Sequence, residues 1–285
     1  MRILYPRPTP ARLLRTRRAW SAATLASLFV LAAAAGSAAQ SSPVPGSSTG
    51  PLEMITLSAL ADVTSLDATV TITADGTMGG QAMRGDLTAD LSSNDQAQSR
   101  IDITGSLLGP VASKVGGSLV GLFRPSRVSV LTTDATYIVV SGLTDLCVKP
   151  SDPSSTSALS QLSPQGLMTT LTSSDQPIGR YVGDETLNGQ AVKHYVIDGP
   201  AFLAAAASSS DPTVHKFASS LTSAADADLY VAADTGYPVS YSGSFSGGYE
   251  PLDLAGDFGV KIDVTGIDTN PVISLPSACD HPISY

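Results

Sequence analysis

From Leu52 onward, apolar and polar residues alternate with a period of two. In ATVTIT (68–73), Val70 and Ile72 share one side and threonines the other. GDLTADL (85–91) repeats the pattern with Leu87, Ala89 and Leu91, and RIDIT (100–104) with Ile101 and Ile103. YPVSYSGSFS (237–246) sets Val239, Tyr241, Gly243 and Phe245 against four serines. DFGVKIDVT (257–265) sets Phe258, Val260, Ile262 and Val264 against Gly259, Lys261, Asp263 and Thr265. Successive side chains of a strand point to opposite faces, so this alternation predicts strands with one buried and one wet face. Turn residues fall between the runs. Asp75-Gly76 and Asn188-Gly189 suit tight hairpins because Asn, Asp and Gly tolerate positive φ, and Asp234-Thr235-Gly236 separates DLYVA from YPVSYS. The expectation is a mainly β (α+β) domain over residues 52–285, built on one large, twisted antiparallel sheet.

Helical spacing is scarce. Leu52 to Asp62 has apolar residues at 52, 55, 57 and 60, adequate for an N-terminal helix. Residues 200–225 are alanine-rich, with Phe202, Leu203, Val214, Phe217 and Leu221, and predict one broken helix or two short ones. Asp211-Pro212 would open the second, since an early helical position loses nothing by lacking an N–H. Residues 161–171 add a short helix, and the Gly/Pro-interrupted apolar segment 105–123 reads as a mobile flap or hairpin. So few helices cannot cover one face of so large a sheet, and part of its apolar face is expected to stand open as a groove. The inward positions named by the alternation are Val70, Ile72, Leu87, Leu91, Ile101, Ile103, Val239, Tyr241, Phe245, Phe258, Val260 and Ile262.

The first forty residues have a different character. Six arginines precede an apolar run from Ala19 to Ala35, and Ser37, Ala38 and Ala39 follow. A basic region, an apolar region and a small-residue exit predict a secretory signal peptide over 1–39, cut after Ala39. An uncleaved anchor is the rival reading, because Ala19 to Ala39 is just long enough to span a bilayer. Residues 40–51 (QSSPVPGSSTGP) read as a flexible tether. The chain is expected to be exported, to the medium or the cell envelope. No cysteine stands at the cleavage point, so a thioether-linked lipid anchor there is not supported.

Without residues 1–39 the chain keeps ten basic residues against 25 acidic ones, a net charge of −15. That excess argues against nucleic acid, whose binding needs clustered Lys/Arg, and against adhesion to anionic headgroups. Of the acidic residues 22 are Asp, which fits turns and strand ends. The two cysteines, Cys147 and Cys279, most simply form one disulfide in an exported chain.

Signals for chemistry are weak. His194, His215 and His281 are dispersed and lack the clustered ligands of a zinc site. The G-x-S-x-G elbow fails because Phe245 stands at the nucleophile position of Gly243-Ser244-Phe245-Ser246-Gly247. Asp234-Thr235-Gly236 has the tripeptide of aspartic proteases, but no second copy supplies the partner carboxylate, and a hairpin turn explains it. No phosphate-binding glycine loop follows a strand. His194 in AVKHYVID shares a strand face with Val192 and Val196 and reads as a packed, hydrogen-bonded residue. No catalytic residue, metal or cofactor is expected.

Three blocks carry a family resemblance. YVGDETLNGQAVKHYVID (181–198) resembles the G-x-E hairpin ending in His-Tyr of the LppX/LprG-type lipoproteins, within the wider LolA/LolB-like carrier group. DLYVAADTGYPVSYSGSF resembles that family's strand–turn–strand segment, and GVKIDVTGIDTNPVISLPS its closing strand. The resemblance implies a half-barrel, a curved antiparallel sheet around a few short helices, with an apolar cavity between them for acyl chains. It also implies a non-enzymatic, monomeric binder or carrier of lipids or lipidated molecules. The alternative is a regulatory or assembly module whose groove engages a membrane-protein partner.

Overall fold

In the computed structural model, which describes residues 52–54, 63–111, 125–150, 178–208, 215, 218–249 and 253–284, the alternating segments become strands. They are β1 (Leu52–Met54), β2 (Leu66–Met78), β3 (Gln81–Ser93), β4 (Ser99–Thr104), β5 (Arg127–Thr132), β6 (Thr136–Ser141) and β7 (Leu146–Lys149). The series continues with β8 (Ile178–Leu187), β9 (Gln190–Ile197), the helix α1 (Gly199–Ala207), β10 (Leu221–Ala224), β11 (Ala227–Ala232), β12 (Pro238–Tyr249), β13 (Leu254–Ile267) and β14 (Ile283–Ser284). All strands join one curved, unclosed sheet in the order β1-β8-β9-β11-β12-β13-β2-β3-β4-β5-β6-β7-β14, with β10 also paired to β12. Pairing is antiparallel throughout except for β14 on β7. The expected signal peptide, tether and helix over 161–171 lie outside the described residues.

Four local expectations need correction. Leu52–Met54 is a strand paired with β8, not the start of a helix; the rest of that predicted helix lies outside the described residues. Leu221–Ala224, placed in the alanine-rich helical segment, is β10; among the described residues helix there comprises α1 and positions 215 and 218, while Asp211-Pro212 lies outside them. The start of the supposed flap is packed: Leu107, Leu108 and Val111 are buried in the main core, because only an apolar segment crossing the sheet can cover it there. Finally, Asp75-Gly76 does not turn. The β2–β3 hairpin reverses at Gly79-Gly80, with φ of 61° and 73°, and β2 runs straight through Gly76.

Gly76 serves close approach. It faces Gly256 across the β2–β13 ladder, and a Cβ on Gly76 would lie 2.1 Å from the Ala255 carbonyl oxygen. Asn188-Gly189 turns the β8–β9 hairpin with φ of 52° and 84°, as its residues predict.

The two faces of the sheet differ as the alternation requires. The inner face holds one continuous apolar cluster running from Ile197 and Leu229 through Phe245 and Val260 to Leu91 and Val130. Phe245 and Phe258 are cross-strand partners there, with ring centroids 5.1 Å apart. The outer face carries a polar row across neighbouring strands: His194, Tyr230, Ser240, Asp263, Thr69, Asp90, Asp102 and Ser129 are successive register partners. Hydroxyls settle much of its charge. Ser240 Oγ donates to Asp263 Oδ1 at 2.8 Å, Thr69 Oγ1 to Asp90 Oδ1 at 2.9 Å, and Ser129 Oγ to Asp102 Oδ1 at 2.5 Å.

After β13 the chain crosses to the far edge of the sheet. Asn270 N donates to Ser65 Oγ at 2.8 Å, and Thr269 Oγ1 to Asp67 Oδ2 at 2.6 Å, fixing the exit beside the start of β2. Cys279 then bonds Cys147 of β7, with Cα atoms 5.1 Å apart. Leu131, Tyr137 and Val139 pack around the pair as a second, smaller core.

Candidate functional site

Eleven of the twelve inward positions named by the alternation lie in the single inner-face cluster. Val239 does not. The β11–β12 register passes from Tyr230↔Ser240 to Val231↔Pro238, so Val239 is the extra residue of a β-bulge and is only half-buried. A bulge leaves one residue unpaired and turns it off the alternating pattern. The alternation also missed the cover of the cluster. Leu107, Leu108 and Val111 close over β2–β5, and Phe202 of α1 with Leu221 and Ala224 of β10 packs beside β11 and β12.

Two small gaps lie in this interior among the described residues. One of about 20 Å³ is bounded by Ile72, Leu87, Phe245, Phe258 and Val260, with Met78, Met83, Leu107, Val111 and Leu254. Every one of those side chains is apolar. The other, about 10 Å³, lies beneath α1 and is bounded by Ile197, Phe202, Leu203, Tyr241 and Phe245 among others. Either is about the space of one water molecule, far below the roughly 300–1,000 Å³ of a small-molecule pocket. In these two places the protein's own side chains fill the interior, and any ligand there would have to displace them. Met78 and Met83 suit that, because unbranched thioether side chains repack at little cost. A wider cleft of about 330 Å³ runs past Thr73, Asp75, Ser223, Ser244, Ser246 and Asp257. Its hydroxyls and carboxylates make it a poor match for an aliphatic ligand.

His194 sits on the outer face, in the row described above. Its Nδ1 lies 2.8 Å from Glu185 Oε1 on β8 and its Nε2 2.9 Å from Asp228 Oδ1 on β11. Its ring stacks on Tyr230 at 4.5 Å between centroids. Burial alone would lower the imidazole pKa, but hydrogen bonds and charge from Asp228 and Glu185 outweigh it and raise the net value above the ordinary 6.5. Both nitrogens therefore act as N–H donors to carboxylates, the arrangement of an imidazolium. The cluster ties three strands together, and the packed reading of His194 stands, with Asp228 and Tyr230 as partners that the local sequence did not reveal. Asp184, although adjacent to Glu185, is not part of it.

Among the described residues, no group of three or more His, Cys, Asp or Glu side chains is arranged to hold a metal ion. No helix among them is long and apolar enough to cross a membrane.

No protein-family profile matches the sequence, and no curated protein matches it. Among solved structures, the chain is similar to the lipoprotein LppX of Mycobacterium tuberculosis, at 15% identity and a TM-score of 0.40, covering 75% of this chain and 90% of that one. It is similar to LprF from Mycobacterium bovis at 10% identity and a TM-score of 0.40, covering 89% and 97%. The Pseudomonas aeruginosa MucA/MucB complex matches at 12% identity and a TM-score of 0.26, covering 77% and 59%.

Proposed function

We propose that this protein is an exported, non-enzymatic binder of acyl lipids, which it holds against the inner face of its open sheet. The observation that carries the reading is the inner face itself: one continuous apolar cluster, with a gap bounded by aliphatic, aromatic and thioether side chains. Burying an aliphatic chain contributes about 0.8 kcal/mol per CH₂, so a twelve-carbon chain gains on the order of 9 kcal/mol before side-chain displacement is subtracted. Such a site needs no charged pocket. The negative net charge keeps the carrier soluble rather than bound to anionic membranes.

Native mass spectrometry of the purified protein, paired with titration of a fluorescent fatty acid, tests the reading. Co-purifying lipid and saturable binding are expected. A lipid-free protein that also fails to bind the fluorescent fatty acid would sink it, and a co-purifying membrane protein in that case would favour an assembly module instead.

A further inference from the structure

Among the described, fully buried residues of the inner-face cluster, Tyr241 is the one that carries a polar side-chain atom. It lies on β12 between Leu229 of β11 and Ile262 of β13, its direct cross-strand partners, and is 6% exposed. Among the described residues, nothing accepts a hydrogen bond from its hydroxyl or donates one to it. Other buried polar side chains are treated differently. Ser65, Ser93, Asn94, Ser129, His194 and Ser240 all make hydrogen bonds through the side chain. Buried Tyr137 has Lys149 Nζ within 3.4 Å of its hydroxyl. Buried tyrosine hydroxyls ordinarily find a partner, because an unpaired one loses its bond to water and gains nothing in return. Phenylalanine would fill the same space without that penalty. An orphaned hydroxyl beside buried polar side chains that are all paired, among the described residues, therefore points to a partner that arrives from outside.

The place of Tyr241 narrows what that partner is. Its side chain borders the small gap beneath α1, whose other walls include Ile197, Phe202, Leu203 and Leu221. Apart from Tyr241, every side chain lining the gap is apolar, so a lone water there would find no second polar side chain, whereas buried waters usually make about three hydrogen bonds. Burial alone pushes the phenol pKa upward, so the group stays a neutral donor at every physiological pH. A neutral donor in an apolar wall fits an uncharged acceptor, such as a carbonyl. Phe245 borders this gap and also the larger apolar gap beside Phe258, so the two adjoin across β12, one on the β9–β11 side and the other on the β13–β2 side. Four residues of strand separate Tyr241 from Phe245, about 13 Å. The helix over the gap is a light cover: in α1, Ala206 is buried while Phe202 and Leu203 are half-buried.

We propose that Tyr241 is the polar anchor of an acyl-lipid site beneath α1, its hydroxyl donating a hydrogen bond to the carbonyl at the head of an aliphatic chain. This rests on the reading of the inner face as an acyl-lipid surface. The chain runs from Tyr241 past Phe245 toward Phe258, with α1 displaced outward to admit it. The anchor gives the site polarity and orientation, and it discriminates against hydrocarbons that lack an acceptor.

The test compares wild-type protein with Tyr241→Phe, using methyl laurate, lauric acid and tetradecane as competitors for a bound fluorescent fatty acid. Wild type should bind the ester or the acid more tightly than the alkane. Tyr241→Phe should weaken the carbonyl ligand about three- to tenfold, the scale of one net hydrogen bond, and leave tetradecane unchanged. Loss confined to the ester or to the acid identifies which carbonyl is read; loss on both assigns the shared group. With ¹³C-carbonyl methyl laurate, the bound carbonyl stretch should lie at lower frequency in wild type than in the variant. Equal affinities and equal carbonyl frequencies in the two proteins would overturn the anchor while leaving the acyl-lipid reading intact. Failure of all three ligands to bind wild type would overturn both. Ligand-free Tyr241→Phe should melt no lower than wild type. A clear drop in its melting temperature would reveal an internal partner for the hydroxyl and would also overturn the proposal.

Discussion

His194 Nε2 on β9 and Asp228 Oδ1 on β11 are 2.9 Å apart, and the opposite nitrogen of the same ring reaches Glu185 on β8. The cluster is therefore a charged clamp over three neighbouring strands, and its strength follows the protonation of one ring. The folded-state pKa of His194 is raised above 6.5, so the folded protein holds this proton more tightly than the unfolded chain does. The stabilisation is fully present below pH 6.5 and is lost as pH rises through the raised folded value. Tyr230, the remaining titratable group against the ring, stays neutral across this range because burial and the nearby carboxylates raise its pKa. Urea denaturation from pH 6 to pH 9 should show wild type losing on the order of 1–2 kcal/mol, a figure reduced because both carboxylates are nearly half-exposed. His194→Phe keeps a ring against Tyr230 and should be nearly flat over the same range. An unchanged pH slope in that variant would show that His194 does not carry the effect.

Gly76 presses against β13 where no side chain fits. The Cβ of Gly76→Ala would meet the Ala255 carbonyl oxygen at 2.1 Å and Gly256 Cα at 2.7 Å, both backbone atoms that cannot rotate away. The two central strands would have to part, at an expected cost of about 2–4 kcal/mol in denaturation midpoint analysis. Gly80→Ala provides the comparison. Its Cβ meets nothing within 4 Å, so the cost comes from φ of 73° alone and should be about 1–2 kcal/mol. If the two variants are equally stable, steric approach is not why glycine occupies position 76.

Those two sites also show where sequence reading succeeds and stops. Eleven inward positions were legible because the pleat itself imposes a period of two, and a buried face must be apolar at every second residue. Val239 obeyed the same alternation yet left the cluster, since a bulge is set by the register between two strands and leaves no mark in either one alone. Asp75-Gly76 resembled a turn because the same residue serves both tight turns and close backbone contact. Asp228 was invisible as a partner of His194 because 34 residues separate them, and only the order β9-β11 brings them together. The unpaired hydroxyl of Tyr241 likewise has no sequence signature, as an inward tyrosine and an inward phenylalanine occupy the same place in the pattern.

The disulfide holds the far edge of the sheet, and its removal should be felt unevenly. Cys147 and Cys279 are 132 residues apart, and the chain-entropy model assigns a loop of that length about 5 kcal/mol, an upper figure where the unfolded chain keeps residual structure. The first part of the tail does not depend on the bond, since Thr64, Ser65, Asp67 and Asn94 already hold residues 268–271. Beyond that point, Cys279 is the buried attachment of the tail to Leu131, Tyr137 and Val139, and it positions β14 to pair with β7. Replacing both cysteines by serine should therefore lower global stability while loosening one region first. Hydrogen exchange should accelerate at residues 277–284 and along β6–β7, with β2 and β13 remaining protected because long ladders join β2 to both β13 and β3. Uniform acceleration across the whole sheet would mean that the bond supports the fold globally and that the tail is not a separable strap.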